Sequence, residues 1–224
     1  TLLIMLSSYS VCRAMVMPAS FLVVLFYAIY LVVRNGVISY QKASGLAMFS
    51  GIVIFCFYSF IRLKEMLPVE EYGYDAIFFI LLILCFAWGG DTCAYFAGRA
   101  FGKHKLCPVV SPKKTVEGAV GGVLGTMVFG VLVTVIYSIA ADRMEEFTRS
   151  NIGVSMYVII ALLACVAAVL GIYGDLFASV VKRQCGIKDY GTIFPGHGGI
   201  LDRFDSVMFI APFVTMVVIA AFYD

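Results

Sequence analysis

Long apolar stretches separated by short polar segments are the dominant pattern of this chain. A helix needs about 20 apolar residues to cross the hydrocarbon core of a bilayer. Six stretches near that length lie at 15–33, 43–60, 75–97, 115–140, 151–178 and 204–223. The pattern predicts an all-α, polytopic integral membrane protein. Residues 1–12 are apolar but short and are compatible with the end of a truncated span, so we expect about six to seven transmembrane helices in a single domain covering 1–224.

Composition supports a membrane protein. Hydrophobic residues make up 62% of the chain and charged residues 13%, whereas a soluble domain is about 45 to 50% apolar. The seven cysteines show no paired spacing, which argues against a disulfide framework or a zinc site. We expect no nucleic-acid partner.

Basic residues are divided unevenly between the two sides of the predicted bundle. If the six spans alternate in direction, eleven of the 16 Lys and Arg residues fall on one side. The positive-inside rule makes that side cytoplasmic, and we expect a bacterial inner (plasma) membrane. Basic residues that bind phosphate would gather on one side as well, so both interpretations agree on sidedness. Lys103 and Lys105 could alternatively contact anionic lipid headgroups.

The most polar part of the chain is 179–205. Asp202 and Asp205 are three residues apart and would share a face if a helix begins near Leu201. Two such carboxylates can hold a hard cation such as Mg²⁺ together with phosphate oxygens. Nearby basic side chains would clamp those phosphates: they are Lys182, Arg183, Lys188 and Arg203. The stretch therefore predicts a site for an anionic ligand and a metal, at the cytoplasmic side.

Acidic residues at membrane depth are costly, which favours a functional role for them. Asp175 lies four residues before Ser179 and seven before Lys182, so the three share one helical face that leads toward 179–205. Asp175 can therefore join Asp202 and Asp205 at the metal. Asp91 is less defined, because a buried Asp paired with a Lys or Arg for structural reasons is an equal alternative.

Two glycine-rich segments accompany these acids. His197 lies in 195–199, which is too rich in Gly to be helical, and either donates a hydrogen bond to phosphate or satisfies the loop's own carbonyls. Gly118, Gly121, Gly122 and Gly125 form a small-residue face that suits close helix packing within the monomer or a homodimer interface. The first turn after Thr115 could also direct N–H groups at phosphate. His104 has no recognisable context, and we expect a solvated loop residue.

Three segments together resemble the phosphatidate cytidylyltransferases, also called CDP-diacylglycerol synthases. The longest is Ser179-x2-Lys182-Arg183-x4-Lys188-Asp189-x7-His197-Gly198-Gly199-x2-Asp202-Arg203-x-Asp205. The second is Ser111-Pro112-Lys113-Lys114-Thr115-Val116-Glu117-Gly118, and the third runs from Asp91-Thr92-x-Ala94-Tyr95 through Gly98-Arg99. They span about half of the chain.

The resemblance implies that CTP and phosphatidate react at the membrane to give CDP-diacylglycerol and pyrophosphate. It implies Mg²⁺, with a second Mg²⁺ or a monovalent cation as an option, held by Asp175, Asp202 and Asp205. Catalytic roles are implied for Asp175, Ser179, Lys182, Arg183, Lys188, Asp189, His197 and Arg203. Substrate-phosphate binding is implied for Ser111, Lys113, Lys114, Thr115, Glu117 and Asp91.

Two other functions compete with this interpretation. A CTP-dependent kinase of a lipid alcohol, of the dolichol or phytol type, would use similar metal and phosphate chemistry on the γ-phosphate, but the full 179–205 signature argues against it. A transporter would also carry intramembrane acids. It would not need two phosphate-type basic motifs, and its polar residues should lie at the midplane of several spans.

Overall fold

The structure, a computed structural model, describes residues 10–33, 40–143, 153–191 and 198–222. Helices account for most of this part of the chain. They are α1 (Ser10–Val33), α2 (Tyr40–Met66), the short α3 (Val69–Tyr72), α4 (Asp75–Leu84), α5 (Gly90–Phe101), α6 (Val116–Arg143), α7 (Val154–Gln184) and α8 (Val207–Phe222). A π-helical turn, Cys85–Gly89, joins α4 to α5, so that Asp75–Phe101 is one continuous helix.

Each of the six predicted spans coincides with a helix, which confirms the all-α membrane fold. Within the described residues, four helices are long and apolar enough to cross a membrane, and Phe21–Tyr30 and Val207–Phe222 are shorter apolar helices. The four long ones are Gln41–Met66, Asp75–Phe101, Val116–Arg143 and Val154–Gln184. The chain is therefore an integral membrane protein.

The polar segments hold structure that the hydropathy pattern did not predict. Lys105–Cys107 (β1) and Ser111–Thr115 (β2) pair as an antiparallel hairpin between α5 and α6. At Leu201–Arg203 the chain forms a 3₁₀ turn, and α8 begins only at Val207. The helix start that the spacing indicated near Leu201 is thus a single tight turn, with Asp205 following it.

The core lies where the middle of the chain meets α8. Helix α6 packs between α5 and α7, and α8 packs against α2 and α7. Phe78, Leu82 and Phe86 of the long helix Asp75–Phe101 are almost completely buried in this core. Packing of α6 against both α5 and α7 brings the ends of these three helices together at the side that carries the hairpin.

Candidate active site

A cavity of about 460 Å³ opens where α5, α6 and α7 meet the hairpin and the 3₁₀ turn. It is lined by all three of the sequence segments that were singled out. The lining residues are Asp91, Ala94, Tyr95, Gly98, Arg99, Leu106, Lys113, Lys114, Thr115, Gly118, Ala119, Ile172, Asp175, Asp202, Arg203 and Asp205. The fold therefore brings the three segments together at one cavity.

Close packing of α5 on α6 forms one wall of this cavity. A Cβ atom added at Gly121 would collide with the Cβ of Ala97, and one at Gly118 would lie 2.8 Å from the carbonyl oxygen of Ala94. The small-residue face of α6 thus serves packing within the monomer. It lets the helix that carries Asp91 lie directly against the helix that follows β2.

The hairpin is tied to α6 by its own polar contacts. The backbone N–H of Gly118 donates to Thr115 Oγ1 at 3.1 Å, which is a side-chain cap at the start of α6. Glu117 accepts the backbone N–H of Lys103 at 3.0 Å and contacts His104 Nδ1 at 2.7 Å. His104 is an exposed loop residue, as expected, and its ring also pairs with Glu117. These contacts fix the strand that presents Lys113 and Lys114.

Three carboxylates, those of Asp91, Asp175 and Asp205, face the same cavity. Asp205 is only 8% exposed. Burial, with added repulsion from Asp175 and then Asp91, raises the pKa of Asp205 to about 7. Like charges gathered in this way favour the binding of a proton or a cation among them.

Lys114 and Ser179 contact one of these carboxylates. Lys114 Nζ forms an ion pair with Asp175 Oδ2. On the other side of the same carboxylate, Ser179 Oγ donates to Asp175 Oδ1 at 3.4 Å, so the two lie on one face of α7, as their i, i+4 spacing predicted. Lys113 and Lys114 both reach the cavity from β2, so the second segment supplies positive charge beside the acids.

Asp202 has a different environment from Asp205. Its Oδ1 accepts from Lys182 Nζ at 2.9 Å, and its Oδ2 accepts the backbone N–H groups of Tyr190 at 2.8 Å and Gly199 at 2.9 Å. Burial opposes ionisation, but the hydrogen bonds from Lys182 and from the two N–H groups hold the pKa of Asp202 below its ordinary value. A carboxylate offers about four lone pairs, so one on Oδ1 is left for a ligand in the cavity.

The Asp202 contacts close the loop that follows α7. Lys182 Nζ also lies 5.3 Å from the ring centroid of Tyr190, whose hydroxyl donates to the carbonyl of Ala178 at 3.1 Å. These contacts hold Tyr190, near the end of the described segment 153–191, against α7.

Other predicted site residues lie elsewhere. Arg183, Lys188 and Asp189 are exposed, and none of the three belongs to the described lining of the cavity. Ser111 and Glu117 sit in the hairpin and at its junction with α6, also outside that lining. His197 falls outside the described residues. The roles assigned to these six stay predictions.

Several residues of the site were missed by the sequence reasoning. Arg99 and Tyr95 line the cavity, and both belong to the third segment, so that segment was the available signal. Ser206 donates its hydroxyl to Asp91 Oδ2 at 3.0 Å and its backbone N–H to Asp205 Oδ1 at 2.9 Å. Trp88 Nε1 donates to the carbonyl oxygen of Arg203 at 3.0 Å. No pattern in the sequence indicated these last two contacts.

The donor chemistry of the cavity fits a hard cation, since Mg²⁺ prefers carboxylate, phosphate and water oxygens. Among the described residues, no three His, Cys, Asp or Glu side chains already stand in metal-holding geometry. The carboxylates of Asp91, Asp175 and Asp205 nevertheless repel one another across a shared space. A cation that bridges them would relieve that repulsion.

The family profile and the individual relatives that match this chain point to the same family. The profile of the cytidylyltransferase family matches residues 1–221. The phosphatidate cytidylyltransferase of Bacillus subtilis strain 168 is 32% identical over 198 residues, which cover 88% of this chain and 66% of that protein. Those of Staphylococcus haemolyticus and Staphylococcus saprophyticus are 39% and 41% identical over 145 residues, covering 65% of this chain and 50% of each relative. The chain spans half to about two thirds of the length of these curated relatives.

Proposed function

The chain belongs to the cytidylyltransferase family, whose profile covers residues 1–221, and from this premise we propose that it transfers the CMP group of CTP to phosphatidate. The products are CDP-diacylglycerol and pyrophosphate. The relatives compared above carry the name phosphatidate cytidylyltransferase. The observation that carries the proposal is a cavity to which each of the three motif segments contributes charged side chains.

The charges of the cavity suit two phosphorylated substrates. Four basic side chains, Arg99, Lys113, Lys114 and Arg203, line it together with the four carboxylates. Its volume of about 460 Å³ lies within the range of small-molecule sites, about 300 to 1,000 Å³. Basic side chains stabilise phosphate oxygens by charge-assisted hydrogen bonds, whereas the carboxylates would repel them unless a cation lies between. This mixture is what a reaction of polyphosphates with a metal requires.

The reaction needs no covalent enzyme intermediate. A non-bridging oxygen of the phosphatidate phosphate attacks the α-phosphorus of CTP, forming the new P–O bond. The bond from that phosphorus to the oxygen bridging the α- and β-phosphates breaks, and its electron pair leaves with pyrophosphate. The attacking phosphomonoester has a second pKa of about 6, so it is already anionic at neutral pH. The protein therefore acts mainly by positioning and by stabilising charge.

Named residues divide these tasks. Lys113, Arg99 and Arg203 would contact phosphate oxygens of the two substrates from the cavity walls. Lys114, now paired with Asp175, would exchange part of that contact for substrate phosphate. Lys182 keeps Asp202 and the loop after α7 in place. Exposed Arg183 and Lys188 would contact the substrate only if it extends past the described lining.

Asp205, Asp175 and Asp91 would hold Mg²⁺, with the remaining lone pair of Asp202 Oδ1 as a further donor. When bound, the cation neutralises charge on the phosphates and stabilises the pyrophosphate as it leaves. A second cation, either Mg²⁺ or monovalent, would be held by the same group of carboxylates. Two serines hold these carboxylates in position. Ser206 donates to Asp91 and Asp205, and Ser179 donates to Asp175.

The active site would face the cytoplasm, where CTP is available. The hairpin and the loop after α7 lie at the end of the bundle to which alternation of the six predicted spans assigns eleven of the 16 Lys and Arg residues, and the positive-inside rule predicts that this end is cytoplasmic. Phosphatidate would approach from the cytoplasmic leaflet of a bacterial inner membrane. A homodimer is compatible with this arrangement, but the small-residue face of α6 is already used by α5.

The proposal can be tested by following a label placed on either the α- or the γ-phosphate of CTP. With α-labelled CTP, phosphatidate and Mg²⁺, we expect label in the lipid fraction and one pyrophosphate released per CDP-diacylglycerol formed. With γ-labelled CTP the lipid should stay unlabelled. Transfer of γ-label to a lipid alcohol, with CDP as co-product, would replace the proposal with a lipid-alcohol kinase.

A further inference from the structure

The long helix that lines the cavity is interrupted by a π-helical turn at Cys85–Gly89. A π-helical turn contains an extra residue, and one residue of an α-helix corresponds to a rotation of about 100°. The residues beyond the turn therefore face a different direction from the one an uninterrupted helix would give. Single π-helical turns are frequent at functional sites, so the contacts made at and after this turn are informative.

Trp88 lies within the π-helical turn and contacts Arg203, which is distant in sequence. Its indole Nε1 donates to the carbonyl oxygen of Arg203 at 3.0 Å, across 115 positions of the chain. Its ring also meets the ring of Phe204 edge-on, with centroids 6.1 Å apart. Trp88 therefore contacts the end of the 3₁₀ turn twice, at the backbone of Arg203 and at the side chain of Phe204.

The same helix holds this segment a second time, three residues further on. Asp91 accepts from Ser206 Oγ at 3.0 Å, and the backbone N–H of Ser206 donates to Asp205 Oδ1 at 2.9 Å. Asp205 thus lies between two attachment points, Arg203 and Ser206, that are both fixed to Asp75–Phe101. The 3₁₀ turn itself is only three residues long, which is too short to hold an orientation alone.

We propose that Trp88 is a positioning residue, whose indole N–H holds the turn at Arg203 so that the Asp205 carboxylate projects into the cavity. The π-helical turn aims Trp88 and Asp91 together at the 203–206 segment. Trp88 touches no substrate in this role and acts through Asp205. The effect on turnover rests on the proposed function, whereas the hydrogen bond can be tested without it.

Removal of the N–H alone is the sharpest kinetic test. Trp88→Phe keeps an aromatic ring, and replacement of Trp88 by benzothienylalanine keeps the shape of the indole while removing the donor. A lost hydrogen bond of ordinary strength corresponds to about a tenfold change. We expect about a tenfold lower kcat in both variants, with KM for CTP changed less than about twofold. Phe101→Leu, an exposed position of the same helix, should keep wild-type kinetics.

A second attachment point allows a coupling test. If Trp88 and Ser206 hold the same segment, Trp88→Phe combined with Ser206→Ala should lower kcat by less than the product of the two single effects, because neighbouring contacts are not additive. Independent, multiplicative effects would contradict a shared positioning role. Wild-type kcat in the benzothienylalanine protein would overturn the proposal even if Trp88→Phe fails to fold.

Trp88 is the one tryptophan in the chain, so a single indole N–H resonance reports on it. In ¹⁵N-labelled protein of this 224-residue sequence in detergent micelles, we expect this resonance to be shifted downfield and slow to exchange with solvent. Rapid exchange, as for a free indole, would overturn the hydrogen bond. Should the wild type show a protected indole N–H but no transfer of label from α-labelled CTP, the proposed function fails while the contact stands.

Discussion

Asp202 and Asp205 are three residues apart and carry the same carboxylate, yet their surroundings give them different tasks. Three donors hold Asp202, including Lys182 and two backbone N–H groups. Asp205 is buried opposite Asp91 and Asp175, and its pKa is raised to about 7. One acid therefore anchors the loop after α7, and the other belongs to the group of carboxylates that we propose to hold a cation.

Replacement of each by Asn should separate these tasks. Asp205→Asn removes charge from a repulsive cluster, so we expect a protein at least as stable as the wild type with turnover reduced about 100-fold, the size of losing one charge-stabilising group. Asp202→Asn leaves Lys182 without its charged partner, and breaking a partly buried ion pair of this kind should cost up to about 3 kcal/mol. Thermal unfolding in detergent and turnover with CTP, phosphatidate and Mg²⁺ measure the two effects.

A double variant provides the control. Lys182→Met together with Asp202→Asn should recover part of the stability lost by Asp202→Asn alone, because the uncompensated charge is then absent. Near wild-type turnover of Asp205→Asn with unchanged Mg²⁺ dependence would remove Asp205 from the proposed metal site. Equal destabilisation by both single Asn variants would contradict the division of roles.

Among the helices, the contact between α5 and α6 determines whether the cavity exists at all. Helix α5 brings Asp91, Tyr95 and Arg99, and α6 follows directly from the strand that brings Lys113 and Lys114. The two helices approach closely because the face of α6 that meets α5 is lined by glycines, which have no side chain. Separation of the helices would move charged groups of the two motif segments apart without altering any of them.

Gly121→Ala tests this geometry. The new methyl group would collide with Ala97 Cβ, and overpacking of this kind costs about 1 to 3 kcal/mol. We expect lower thermal stability and a clear loss of turnover, although no charged residue changes. Gly45→Ala in α2 is the matched control, since nothing lies within 4 Å of its added Cβ. Wild-type behaviour of Gly121→Ala would show that the close approach is dispensable.

For the molecule as a whole, the orientation in the membrane decides whether the proposed active site can reach CTP in the cytoplasm. The ends of α5 and α7 and the starts of α6 and α8 lie at one side of the bundle. Cys185 follows α7 at that side and is exposed. Val154 begins α7 at the other side and is 83% exposed.

Thiol labelling of these two positions should give opposite results. In a protein whose only cysteine is Cys185, an impermeant maleimide should react in inside-out vesicles and not in intact cells. A cysteine-free background carrying Val154→Cys should react in intact cells. Reaction of Cys185 from the outside would invert the proposed topology and place the site on the side of the membrane opposite to cytoplasmic CTP.

Much of this architecture could be predicted from the sequence, because the relevant signals are local. Helical spans follow from the length of apolar stretches, which is why each predicted span coincides with a helix. The i, i+4 relation of Asp175 and Ser179 depends only on helical periodicity, and their hydrogen bond is present. The three motif segments indicated most of the charged groups that line the cavity.

Only the tertiary structure assigned the partners of these groups. Sequence spacing treated Asp202 and Asp205 alike, whereas packing placed Lys182 against one and two other carboxylates opposite the other. Trp88 and Arg203 meet across 115 positions, as do Asp91 and Ser206. Such contacts depend on how the helices pack against one another, and no local period in the sequence encodes a distance between residues so far apart.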